Sequence, residues 1–233
     1  MTTLAHLQRD KQLALLTLDD GKANAFSHAM IERLHNLLDE VEADESVRAL
    51  VITGREGRFS AGFDLSVMKA GPEAVRGLVG AGACLALRIH EFPKPVVMAC
   101  SGHALAMGAI LLFTADWRTG ADGDFKIGMN EVQIGMIMPQ FGAELARDRL
   151  SPRYYSRAVL NAEIFTPSVA VDAGYLDEVV DELSVIDFAC VQAERLAALD
   201  PRAFAATKRR TRAATLRLIR EGLAADLEGL SGL

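Results

Sequence analysis

Glu131 is the side chain whose setting most suggests acid–base chemistry. It lies in Gly128-Met129-Asn130-Glu131-Val132-Gln133-Ile134-Gly135, with Ile137 and Phe141 close behind. A carboxyl group bordered by Ile134, Ile137 and Phe141 is pushed toward its neutral form and is a stronger base once ionised. His103 invites a second reading, because it follows Ser101-Gly102 and could pair with Ser101 or Ser60 as in a hydrolase. Yet Gly57-Arg58-Phe59-Ser60-Ala61-Gly62 misses the G-x-S-x-G elbow by one residue, and no aspartate is placed to orient the histidine. His103 therefore reads as part of a turn. Cys84, Cys100 and Cys190 are odd in number and widely spaced, with no C-x-x-C, which suits buried thiols in a reducing compartment and neither a disulfide framework nor a zinc site.

The elements that must position Glu131 alternate between two periods. Leu13–Leu18 and 47–53 are short aliphatic runs closed by Asp-Asp-Gly and Gly54, as buried strands are. Between them Ile31, Leu34, Leu37, Leu38 and Val41 share one helical face behind a cap at Ser27. Residues 95–100 read as a buried strand, Ser101-Gly102-His103 as a turn, and a buried helix begins near Ala106. The polar interruptions Ser101, Gly102, His103 and Gly108 argue against a membrane span over 96–115, since a bilayer helix needs about 20 apolar residues. A strand over 124–127, a helix opened by Thr166-Pro167 and closed by Gly174, and a strand over 177–180 follow. From Val185 the pattern is wholly helical, so the mixed part spans 1–184 and a helical region spans 185–233.

The 233 residues, half of them hydrophobic and 24% charged, suffice for a large folded core. With 25 basic against 31 acidic residues the net charge is −6, so the chain lacks the broad positive field that draws in nucleic acid or anionic membrane. Residues 1–10 carry no apolar stretch followed by a small-residue cleavage site, and the expected location is the cytoplasm.

Several segments, in order, resemble the crotonase (enoyl-CoA hydratase/isomerase) family over nearly the whole chain. They are Gly21-Lys22-Ala23-Asn24-Ala25, Val51-Ile52-Thr53-Gly54 leading into Phe59-Ser60-Ala61-Gly62-Phe63-Asp64-Leu65, and Ser101-Gly102-His103-Ala104-Leu105-Ala106-Met107-Gly108 with Asp116 downstream. The stretches 128–135 and 170–180 complete the set. The resemblance implies an α/β fold, a crotonase-like spiral of strand-strand-helix units with a helical C-terminal region used in assembly. It also implies an acyl-CoA thioester as substrate, no further cofactor, and a homotrimer or dimer of trimers. Apolar residues Leu196, Leu199, Phe204, Leu216, Ile219 and Leu223 are more than one helical pair can bury, and fit that assembly.

Carried over residue by residue, the resemblance makes the backbone N–H groups of Ala61 and Met107 an oxyanion hole, with Gly62 and Gly108 shaping the turns around them. Two preorganised donors of this kind stabilise the charge that develops on a thioester oxygen. Met107 stands where the family usually has glycine. Glu131 matches one of the two glutamates of the family's hydratases, and the position of the other is Ile110. Isoleucine cannot hold a water or pass its proton. One carboxylate nevertheless suffices to move a double bond, and the words around Glu131 look more like the Δ3,Δ2-enoyl-CoA isomerase branch. Asp64 resembles a cap of the next helix. Lys22, beside Ala25, is the first choice for the CoA phosphates and Lys208, on the basic last helix, the second, since neither a P-loop nor G-x-G-x-x-G supplies a phosphate cradle.

Overall fold

Aliphatic strands that point successive side chains to opposite faces build the centre of the structure, a computed structural model describing residues 4–229. The chain opens with β1 (Ala5–Asp10) and β2 (Leu13–Leu18), an antiparallel pair, then runs through α1 (His28–Ala43), β3 (Ala49–Thr53), β4 (Gly57–Ser60), α2 (Leu65–Met68) and α3 (Pro72–His90). Next come β5 (Val96–Cys100), β6 (Gly102–Leu105), α4 (Met107–Leu112), β7 (Trp117–Ala121) and β8 (Ile127–Gly128). A 3₁₀ turn (Val132–Ile134), α5 (Gln140–Arg149), α6 (Pro152–Val159), α7 (Pro167–Ala173), β9 (Glu178–Val180), α8 (Val185–Ala197) and α9 (Pro201–Gly229) complete it.

The larger sheet has the order β1-β2-β3-β5-β7-β9, parallel from β2 onward. Leu50, Ile52, Val96, Met98 and Cys100 face one core, shared with α1, α3 and α4. Ala49, Val51, Val97 and Ala99 face the other, against Val185, Ala189, Ala193 and Ala197 of α8. Burial on both faces is why these strands read as unbroken aliphatic runs. The α8 stripe recurs every four residues and is almost all alanine, which lets the helix approach the sheet closely. Ser27 caps α1 through its hydroxyl, which accepts from the Met30 N–H at 3.2 Å, as expected.

The second sheet, β4-β6-β8, is smaller, and all three strands are parallel. It corrects two expectations. Gly102 and His103 are strand β6 and not a turn, because β4 and β8 flank them and supply ladder partners. The strand expected over 124–127 is displaced to Ile127–Gly128, and the intervening strand is β7. Periodicity assigns no element to α3, α5 or α6.

Helix α9 folds back along α3 and α5. Leu216 and Ile219 are consequently buried within the chain, and are not the assembly surface that their apolar character suggested. Cys84, expected to be buried, is exposed on α3. Among the described residues no helix is long and apolar enough to cross a membrane, and residues 96–115 form β5, β6 and α4.

Candidate active site

Parallel strands end on the same side, and each strand of the small sheet delivers one chemical element there. Ser60 of β4 is in register with Ala104 of β6, Ala104 with Ile127 of β8, and Leu105 with Gly128. A few residues further on, β4 leads into the Ala61-Gly62-Phe63 turn, β6 into the first turn of α4, and β8 into Glu131. The crevice beyond the carboxyl ends of parallel strands is the usual place for a ligand in such sheets.

Contacts tighten this convergence. The Ala106 N–H donates to the Gly128 carbonyl at 3.0 Å, joining the start of α4 to the approach to Glu131. Gly62 sits so close to α4 that a Cβ there would lie 2.7 Å from the Ala106 methyl and 3.3 Å from the Met107 nitrogen. Its φ of +94° independently favours glycine. A Cβ on Gly108 would lie 2.5 Å from the Ser60 carbonyl, so glycine also sets how near α4 comes to β4.

Hydrogen bonding distinguishes the possible oxyanion donors. The Ala61 N–H donates to the Ala23 carbonyl at 3.0 Å, the Gly62 N–H to Ser60 Oγ at 3.1 Å, and the Asp64 N–H to the Phe26 carbonyl at 3.1 Å. Only the Phe63 N–H of this turn lacks an acceptor among the described residues. The cause is the parallel bridge between Phe26 and Phe63. In it Phe26 bonds to the residues on either side of Phe63, accepting from Asp64 and donating to the Gly62 carbonyl at 2.8 Å, and the groups of Phe63 itself point outward. The available N–H is thus that of Phe63, two residues beyond the expected Ala61. Met107 is the first residue of α4, where no intrahelical acceptor exists for its N–H. Its side chain is fully buried toward Gly82 of α3, alongside the Phe63 ring.

Glu131 is 4% exposed, and its Oε2 has no hydrogen-bond partner. Burial pushes its carboxyl up to about 7, and the one opposing influence is its own backbone N–H. The enclosure differs from the expected one: Phe141 is buried, whereas the 3₁₀ turn leaves Ile134 and Ile137 half exposed. Ile110 is fully buried, with its Cδ1 against Gly142 of α5. Asp64 caps α2, accepting from the Ser66 N–H at 2.8 Å and the Ser66 hydroxyl at 2.6 Å, which hold its carboxyl below the usual range.

Lys22 and Ala25 lie in a loop gathered by Asp20, whose carboxylate accepts the N–H groups of Lys22, Asn24 and Ala25 at 2.7–2.9 Å. The loop is stitched to the 61–64 turn, and the exposed Lys22 ammonium has no ion pair among the described residues. Lys208 is elsewhere. Its ammonium is buried on Asp116 at 2.6 Å and near the Lys94 carbonyl, where β5 and β7 begin. His103 accepts from the Lys126 N–H, Ser101 donates to the Arg55 carbonyl and Ser60 to that of Asn24, so the three form no catalytic set.

The sequence profile of the enoyl-CoA hydratase/isomerase family matches residues 8–231. The chain belongs to that family. A protein from Bacillus subtilis described as a probable enoyl-CoA hydratase is 33% identical over 204 residues, 84% of this chain and 77% of its own. The crystal structure of an enoyl-CoA hydratase/isomerase family protein from Pseudomonas syringae superposes with a TM-score of 0.94 at 40% identity, covering 97% of this chain and 98% of that one. The human mitochondrial Δ3-Δ2-enoyl-CoA isomerase superposes with a TM-score of 0.94 at 28% identity, covering 99% and 91%. The crotonase fold expected from the motifs is thereby established. Among the described residues no group of three His, Cys, Asp or Glu could hold a metal ion.

Proposed function

We propose that this enoyl-CoA hydratase/isomerase family enzyme shifts the double bond of a 3-enoyl-CoA to the 2-position. The observation that carries the reading is the pairing of one buried, unpartnered carboxylate, Glu131, with a buried isoleucine at the matching second position, Ile110. The thioester oxygen lies between the N–H groups of Phe63 and Met107. Ionised Glu131 takes a proton from C2, and the electron pair spreads over the thioester oxygen, C2 and C4 as a dienolate. The same carboxyl group then returns the proton to C4, leaving the double bond between C2 and C3. No water enters and no second acid is needed, which fits a site with one base. Exposed Lys22 is the cation for the CoA phosphates.

Hydration is the second reading, favoured by the description of the Bacillus subtilis relative. Against it, the other matched carboxylate, Asp64, is committed to Ser66. Incubation with 3-enoyl-CoA and 2-enoyl-CoA separately distinguishes the readings. Conversion of the 3-enoyl to the 2-enoyl thioester is expected; a 3-hydroxyacyl product as the main outcome replaces isomerase with hydratase, and tight binding without turnover makes the protein an acyl-CoA binder.

Assembly as a homotrimer or dimer of trimers is part of the same proposal. The surface it would cover is the outer side of α8 and the turn after it, where Phe188, Val191 and Leu199 are 46%, 59% and 47% exposed. A concentration-independent monomer in sedimentation would contradict it.

A further inference from the structure

Helix α5 starts without a cap of its own. Its N-cap position is Pro139, which offers no side-chain acceptor for the free N–H groups of the first turn. The acceptor comes instead from the far end of the chain. Asp226, half-buried near the end of α9, takes the Gln140 N–H on its carboxylate at 2.8 Å, across 86 residues. A carboxylate also suits the partial positive charge of a helix N-terminus. Close approach accompanies the bond. A Cβ on Gly222 of α9 would collide with the Gln140 side-chain amide, and one on Gly80 of α3 would lie 3.2 Å from Leu227 Cδ1, so the last stretch of α9 is fitted against both α5 and α3.

This contact holds the far end of the segment that carries Glu131. The 3₁₀ turn is closed by the Ile134 and Met136 N–H groups, which donate to the Glu131 carbonyl at 3.1 and 2.9 Å. Ile137 and Met138 then cross to Pro139 and make no backbone hydrogen bond among the described residues. A stretch without hydrogen bonds is placed by its two ends. The α5 end also touches the rest of the site. A Cβ on Gly142 would lie 2.8 Å from Ile110 Cδ1 and 3.1 Å from Met138 Sδ, which seats α5 on α4, the helix that begins at Met107.

We infer that Asp226 is a positioning residue for Glu131, acting through the start of α5 that it caps. The inference rests on the reading of Glu131 as the base and deepens it. A single carboxyl group that serves two carbons of one substrate has to be held in place, and a misplacement of about 1 Å is enough to cost about 10²-fold in rate. Without the Asp226 carboxylate the first turn of α5 frays, and the unbonded stretch before it loses its anchor. The Phe63 and Met107 N–H groups and Lys22 lie on other elements, so substrate binding does not depend on the cap.

Asp226→Ala removes the acceptor, whereas Asp226→Asn keeps a side-chain oxygen for the same N–H. In Asp226→Ala the amides of residues 137–142 should exchange with solvent about tenfold faster, read by mass spectrometry. Its kcat on 3-enoyl-CoA should fall about tenfold, with the dissociation constant for a saturated acyl-CoA little changed. Asp226→Asn should restore both exchange and kcat. Thr215→Val is the control, because it removes another side-chain bond between α9 and α5, the Thr215 hydroxyl on Asp148 Oδ2 at 2.5 Å, near the other end of α5. It should lower the melting temperature and leave kcat unchanged. Wild-type kcat in folded Asp226→Ala overturns the inference, as does a loss in Asp226→Asn as deep as in Asp226→Ala. An equal fall of kcat in Thr215→Val also overturns it, since the effect is then a general loosening of α9. Faster exchange confined to residues 137–142 in Asp226→Ala, together with full activity in Glu131→Gln, leaves the cap on α5 standing and overturns the base assignment instead.

Discussion

Among the described residues, two buried sites that hold charged side chains, one around Asp116 and one at Glu131, are built on opposite plans. At the start of β5 and β7, Asp116 accepts from Lys208 at 2.6 Å, from Arg212 at 2.8 Å and from the Val96 N–H at 2.8 Å. Arg212 and Arg149 donate to the carbonyls of residues 113–115 that follow α4. Beyond the ends of the small sheet, Glu131 is equally buried and has no cation and no partner for Oε2. A buried charge with a full set of partners is held in one state and ties elements together. One left without partners costs stability and keeps a shifted ionisation, which is what a proton-transferring group requires. Lys208 belongs to the first plan, although its place on a basic helix suggested ligand binding.

Breaking the paired cluster should have the largest effect. Asp116→Ala strands two buried cations and should lower unfolding stability by about 3–5 kcal/mol, measured by urea denaturation, while the folded fraction keeps its kcat. Breaking the unpaired site should do the reverse. Glu131→Gln retains size but cannot accept the C2 proton, so kcat for isomerisation should fall about 10²-fold or more with the dissociation constant for a saturated acyl-CoA little changed. Unchanged turnover would place the base elsewhere.

Linkage sharpens the contrast. Burial raises Glu131 from an ordinary 4.5 to about 7 in the fold. Its protonated form therefore stabilises the protein fully below the unfolded value, and that stabilisation is lost as pH rises through about 7. Glu131→Gln, which does not ionise, should exceed wild type in stability at pH 8 by up to about 3 kcal/mol and approach it at pH 4. Wild-type kcat/KM should meanwhile rise with pH and level off above about 7, because the base must be ionised. The smallest effect belongs to the surface: Lys22→Ala should weaken acyl-CoA binding about two- to fivefold, and more at low salt, with kcat preserved.

Much of the site was legible because its parts are local words. The Ala61-Gly62 turn, the helix opening at Met107, the isoleucine at 110 and Glu131 each sit within a few residues of a strand end, and strand ends are marked by aliphatic runs that stop. Legibility failed where a residue's role depends on a distant partner. Ala61 and Phe63 are indistinguishable as donors until Phe26, 37 positions before Phe63, pairs with the turn and selects which N–H remains outward. The strand character of Gly102-His103 likewise exists only because β4 and β8 lie beside it.

The sequence by itself determined which segments are buried, the order in which they follow, and which chemical groups the chain carries at each strand end. Side-chain periodicity and backbone preferences act over a few residues, and those are the distances a linear pattern records. Only the tertiary structure decided which of those groups meet. Parallel register brought the ends of β4, β6 and β8 to one side, and the ion pair with Asp116 holds Lys208 where β5 and β7 begin. Hydrogen bonds and burial between residues far apart in the chain are properties of the folded arrangement, and such burial is what pushes the Glu131 carboxyl up to about 7.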